Sequence, residues 1–133
     1  MENVNFIRQD RKKKEYIMAQ KVLLLAFRGE LMCFAHVLIY AIDMHEKGYD
    51  VKIIIEGAAT KLIPELSEPG QPFSDLFSKV LQKGLLDCTC KACAAKMGVL
   101  ERVKQENLKI KGDVMGHPGL TEYIQLGYQI ITF

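Results

Sequence analysis

The feature that most constrains this chain is a repeated switch between two hydrophobic periods. Five short apolar runs recur: KVLLLAF (21–27), DVKIIIE (50–56), GLLDC (84–88), NLKIKGD (107–113) and YQIITF (128–133). The first two and the last are β-branched or Leu-rich with little alternation, which is the pattern of strands buried on both faces of a parallel sheet. NLKIKGD alternates apolar and polar residues and reads as a strand near an edge. Between the runs the period becomes helical. Residues 30–47 space Leu31, Phe34, Ala35, Leu38 and Ile42 along one face, with Gly48 as the stop. The same spacing recurs over 73–82, 91–106 and 119–126, with Gly84 and Gly127 closing the first and last. Strand–helix alternation from end to end predicts an α/β domain of three layers, α/β/α, around a mostly parallel five-stranded sheet.

Length and charge narrow the function classes. A chain of 133 residues suits one domain with a sizeable core. We assign residues 1–20 to a polar N-terminal extension and 21–133 to the α/β domain. The formal charge of +2 is too small to argue for nucleic acid or an anionic membrane. Most of the basic excess lies in RQDRKKK (8–14), which reads as a solvated end. No apolar run approaches the ~20 residues that a spanning helix needs. The expected compartment is the cytoplasm, where clustered cysteines point to metal binding or catalysis and not to a disulfide framework.

In open α/β sheets, ligands bind outside the carboxyl ends of the strands. Four loops are expected at that edge. FRGELMC carries Arg28 and Cys33, EGAATK carries Glu56 and Lys61, DCTCKACAAKMG carries Cys88, Cys90 and Cys93, and MGHPG carries His117. The single glycines of RGE and EGAAT do not make a nucleotide-binding fingerprint. Cys90 falls where the third strand gives way to a helix. The partial positive charge of a helix start, with Lys91 and Lys96 nearby, favours a thiolate there. Cys93 lies one turn further on, so the pair has the spacing to close a disulfide or pass a sulfur atom. Cys88 is expected to point into the sheet core, and Cys33, between Met32 and Phe34, to fill space. His36 and His45 read as boundary or surface residues, and the methionines as core. His117 sits in a tight-turn loop, where side chains are often functional.

From Lys21 to Phe133 the chain resembles the DsrE/DsrF-like family, which includes the TusD-type sulfur-relay proteins. The resemblance rests on KVLLLAF followed by a helix rich in small and apolar residues, on DVKIIIEGAA leading into a loop, on the cysteine–glycine interval of CKACAAKMG, and on the closing strand YQIITF. Members often carry C-x-x-C at this point with a basic residue just before the glycine. Here Met97 takes that place and Lys96 precedes it. The resemblance implies a compact flavodoxin-like or DsrE-like fold, assembly as homo-oligomers (trimers or hexamers), and sulfur held as a persulfide on the residue matching Cys90. It implies sulfur donor and acceptor proteins as partners, and a sulfurtransferase-like activity if the chain is an enzyme.

Three functions follow as expectations. The first is a sulfur relay using Cys90, with Cys93 assisting and Cys33, His117 and Lys91 near the substrate; it needs no cofactor. The second is a zinc or iron–sulfur module built from Cys88, Cys90, Cys93 and either His117 or Cys33. The third is an assembly subunit whose cysteines do no chemistry.

Overall fold

The computed structural model describes residues 5, 7–12 and 20–133. Most of the extension assigned to 1–20, and part of its basic run, lies outside the described residues. From residue 20 onward the expected alternation holds. Strands β1 (Lys21–Ala26), β2 (Asp50–Ile55), β3 (Leu86–Cys90), β4 (Ile110–Lys111) and β5 (Gln129–Thr132) form one sheet in the order β4-β3-β2-β1-β5, every pairing parallel. The helices are α1 (Leu31–Glu46), α2 (Ile63–Leu66), α3 (Ser74–Gln82), α4 (Lys91–Lys96), α5 (Leu100–Gln105) and α6 (Thr121–Gln125), with a 3₁₀ turn at Gly57–Leu62. Among the described residues no helix is long and apolar enough to cross a membrane.

The two sheet faces are unequal. Val22, Leu24 and Ala26 of β1 and Val51, Ile53 and Ile55 of β2 join a cluster with Phe34, Val37 and Leu38 of α1, Ile63 and Leu66 of α2, Phe77 and Val80 of α3, Ala94 of α4 and Val103 of α5. The opposite face buries Leu23, Leu25, Ile54 and Cys88 beneath Tyr123 of α6 and Tyr128. The strand order explains the asymmetry. β1 to β4 step across the sheet in one direction, so right-handed crossovers of one hand deposit α1 to α5 on one side. Only the return from β4 to β5 covers the other.

Three expectations need correcting. β5 was expected to be buried on both faces but lies at an edge, with Gln129 and Thr132 exposed. The helix expected over 91–106 is two helices. Gly98 takes a left-handed conformation (φ 74°), its N–H bonds to the Ala95 carbonyl, and that of Val99 bonds to Ala94, a closure that ends α4. β3 covers Leu86–Cys90, so the apolar run 84–88 marks it two residues early, although its end at Cys90 is the expected strand-to-helix junction; Thr89 and Cys90 pair there with Ile110 and Lys111. β4 lies at the opposite edge, as its alternation predicts.

Candidate functional site

Cys90 is both the last residue of β3 and the cap of α4. Its backbone is extended (φ −66°, ψ 122°), and its sulfur accepts the Cys93 N–H at 3.4 Å. A thiol thus does the capping that a serine or aspartate oxygen usually does. The next turn brings the Cys93 side chain back over the same spot.

The loop after β4 closes the site. Val114 and His117 exchange both backbone hydrogen bonds at 2.8 Å, and the two residues between them, Met115 (φ 51°) and Gly116 (φ 89°), have positive φ. This is the dihedral signature of a tight type I′ hairpin turn. The hairpin is fastened to the helix, because the Ala92 N–H donates to the Gly116 carbonyl at 2.9 Å. The approach is so close that a Cβ on Gly116 would stand 2.9 Å from the Ala92 Cβ. The fastening aims His117 at both sulfurs. Its Nδ1 lies 3.1 Å from Cys90 Sγ and 3.6 Å from Cys93 Sγ. Cys90 Sγ also reaches the Gly116 carbonyl at 3.8 Å. The ligand-type atoms of Cys90, Cys93 and His117 all lie within 4.8 Å of one another. All four cysteines are free thiols.

The two thiols differ in environment. Cys90 is fully buried, whereas Cys93 is partly exposed. Burial pushes the Cys90 thiol up to about 12, against the opposing pull of the Cys93 N–H. The expectation that helix start and lysines favour the Cys90 thiolate is therefore reversed: desolvation outweighs both. Nearby, Glu56 directly follows β2 and stands beside Cys90, since the preceding pair in register is Ile55 with Thr89. It is 7% exposed, and its carboxyl makes no hydrogen bond or ion pair with any described residue. Burial raises its pKa above the usual carboxylate value, while the charge of His117 works to lower it. Sequence reasoning treated Glu56 only as one charge among several on this edge. Its position directly after the buried run Ile53–Ile55 was the signal that it would be enclosed.

The other expected site residues separate. Cys88 does not join the cluster. It is buried among Leu23, Leu25, Ile54 and Tyr123, and its thiol is pushed up to about 11 by burial. Its sulfur is not among the ligand-type atoms that gather within 4.8 Å of one another at Cys90, so the four-ligand metal set is corrected to three. Cys33 lies in a different cleft of about 280 Å³, lined by Arg28, His36, Tyr40 and Phe133. Lys91 is exposed and makes no side-chain hydrogen bond or ion pair among the described residues.

A parallel sheet that gathers two thiols and an imidazole at the carboxyl end of one strand defines a cysteine-based α/β protein. The DsrE/DsrF-like family matches residues 21–133, and the chain belongs to that family. It is 38% identical over 96 residues to an uncharacterised protein of Methanocaldococcus jannaschii, covering 72% of this chain and 76% of the relative. An uncharacterised protein of Archaeoglobus fulgidus is 41% identical over 44 residues, 33% of this chain and 72% of the relative. No solved structure matches the chain significantly.

Proposed function

We propose that this protein is a sulfur carrier that holds sulfane sulfur as a persulfide on Cys90, with Cys93 and His117 as partners in its transfer. The observation that carries the reading is the meeting of two free thiols at one imidazole nitrogen. Membership of the family supports it. The chemistry asks for little else. A thiolate attacks the outer sulfur of a donor persulfide, a new S–S bond forms, the donor's S–S bond breaks, and the donor leaves as a thiolate. Access and thiolate fraction set the rate, as in thiol–disulfide exchange. His117 supplies what burial takes away, a base within hydrogen-bond reach of a thiol that does not ionise unaided. A protein donor and a protein acceptor are the partners this reading requires.

Intact mass tests it. After incubation with sodium polysulfide and removal of excess, the reduced protein should gain one sulfur, about 32 Da. Alkylation and peptide mapping should place that sulfur on Cys90, and the C90S/C93S double variant should gain none. A folded protein that takes up no sulfur, or a double variant that still does, would overturn the reading.

The same geometry favours a second reading. Two thiolates and an imidazole within 4.8 Å suit three positions of a tetrahedral zinc site, with the fourth left open. Stoichiometric zinc in protein purified under reducing conditions, lost in H117A, would establish this reading and displace the first. Metal-free protein that binds no added zinc would remove it.

A further inference from the structure

Resting on the sulfur-carrier reading, the geometry points to a division of labour between the two thiols: Cys93 receives sulfur from the donor, and Cys90 stores it.

The carrier reading leaves one difficulty. The storing sulfur, Cys90, has no exposed surface, being closed in by the first turn of α4 and the hairpin that bears His117. A persulfide presented by another protein needs a clear line of attack to the receiving sulfur, and Cys90 offers none. Cys93 does, being partly exposed on the first turn of α4. The two sulfurs are near neighbours, within 4.8 Å, and share His117 Nδ1 at 3.1 and 3.6 Å. A sulfur atom taken up at one can therefore pass to the other with no rearrangement of the fold.

The sequence balances without an oxidant or reductant beyond the donor. First, the Cys93 thiolate attacks the outer sulfur of the donor persulfide. The Cys93 S–S bond forms, the donor's S–S bond breaks, and the donor departs as a thiolate. Second, Cys90 attacks that same outer sulfur. The Cys90 S–S bond forms, the Cys93 S–S bond breaks, and Cys93 leaves as a thiolate. The Cys90 proton crosses to Cys93 through His117 Nδ1, a basic atom that reaches both sulfurs. The second step is an isomerisation, so no net charge enters or leaves the pocket. Its product lies where small thiols and other nucleophiles meet it poorly. Partial exposure suits reception and full burial suits storage, because access governs the rate of both loading and unwanted discharge.

The experiment uses the full chain, glutathione persulfide as donor and cyanide as scavenger. Loading is followed by intact mass and discharge by thiocyanate release. Wild type should load and discharge slowly. C90S should still load, now on Cys93, but lose its sulfur to cyanide at least about tenfold faster than wild type, and C93S should load at least about tenfold more slowly. Iodoacetamide gives an arm independent of sulfur chemistry. In the unloaded protein Cys93 should be modified first, and Cys90 in C93S about tenfold or more slowly. Loading of C93S at the wild-type rate, or discharge of C90S as slow as wild type, would overturn the division of labour while leaving the carrier intact. No sulfur uptake by wild type would sink the carrier reading and this inference with it. C93A stands in for C93S should the serine variant prove unstable.

Discussion

Two places at the carboxyl edge of the sheet bring a cysteine and a histidine together among the described residues, and in one of them the thiols face the imidazole. At the end of β3, Cys90 and Cys93 both face His117 Nδ1. At the end of β1, Cys33 and His36 line an open cleft with Arg28, yet their polar atoms are spent locally. His36 Nδ1 is bonded to the Met32 carbonyl one turn back at 2.7 Å, and Cys33 leans on the Glu30 carboxylate at 3.7 Å. The difference lies in backbone origin. Cys33 and His36 share one regular helix, where residues three and four apart are neighbours whatever their function. Cys90 and His117 are separated by 27 positions and meet only because a hairpin is fastened to a helix start. Residue types that converge from separate elements, with polar atoms turned to one another, carry information that a local pair does not.

The largest expected effect breaks the comparison most directly. Sulfur uptake by intact mass should vanish in C90S/C93S and stay at the wild-type level in C33S. Uptake lost in C33S would make the β1 cleft part of the chemistry.

Next come the histidines. H117A should slow sulfur loading about a hundredfold, in the range expected for loss of a general base. H36A should leave the rate unchanged. Equal effects of the two substitutions, measured by the time course of mass gain, would show that Nδ1 of His117 does not act on the thiols.

The hairpin gives a third test. G116A should lower stability in urea unfolding by about 1–3 kcal/mol, because a left-handed backbone is strained by a side chain and Ala92 stands in the way. G70A has a similar φ of 85° but meets nothing within 4 Å, so its loss should be smaller. Equal losses would mean that the close approach of hairpin and helix is not the feature that fixes His117.

The smallest effect concerns pH. Glu56 has a raised pKa in the folded protein because burial disfavours its charge. Folding therefore holds its proton more tightly, and the stability this brings is present at acidic pH and lost as pH rises through the folded value. E56Q should accordingly melt near wild type at pH 4 and above it at pH 8. The Cys90 thiol, pushed up to about 12, should show the same enclosure. Its alkylation rate in C93S should keep rising between pH 8 and 10, where an ordinary cysteine levels off. A plateau near pH 8.5 would mean that Cys90 is solvated.

Much of the fold was legible in the sequence because a buried strand and an amphipathic helix leave different periods. KVLLLAF and DVKIIIE are dominated by apolar residues (Val22–Ala26 and Ile53–Ile55 run unbroken) because β1 and β2 are central strands. YQIITF has the same look at an edge, since composition records that residues are apolar and not how many neighbours flank the strand. The break at Gly98 was hidden by apolar spacing that carries on across it. In the site, Cys90 was placed correctly at a strand-to-helix junction, but its ionisation was judged from helix and lysines alone. Desolvation depends on how much protein lies around the sulfur, and that protein comes from residues 112–117, distant in sequence.

The sequence by itself determined the alternating α/β architecture, the edge at which chemistry-bearing residues gather, and the spacing of Cys90 and Cys93. These are local properties, written in hydrophobic period and in residues three apart. Tertiary structure alone decided the strand order, the asymmetry of the two sheet faces, the burial of the Cys90 sulfur, and the meeting of both thiols with His117. Each of these depends on which distant segments pack together, and packing at a distance leaves no period in the chain to read.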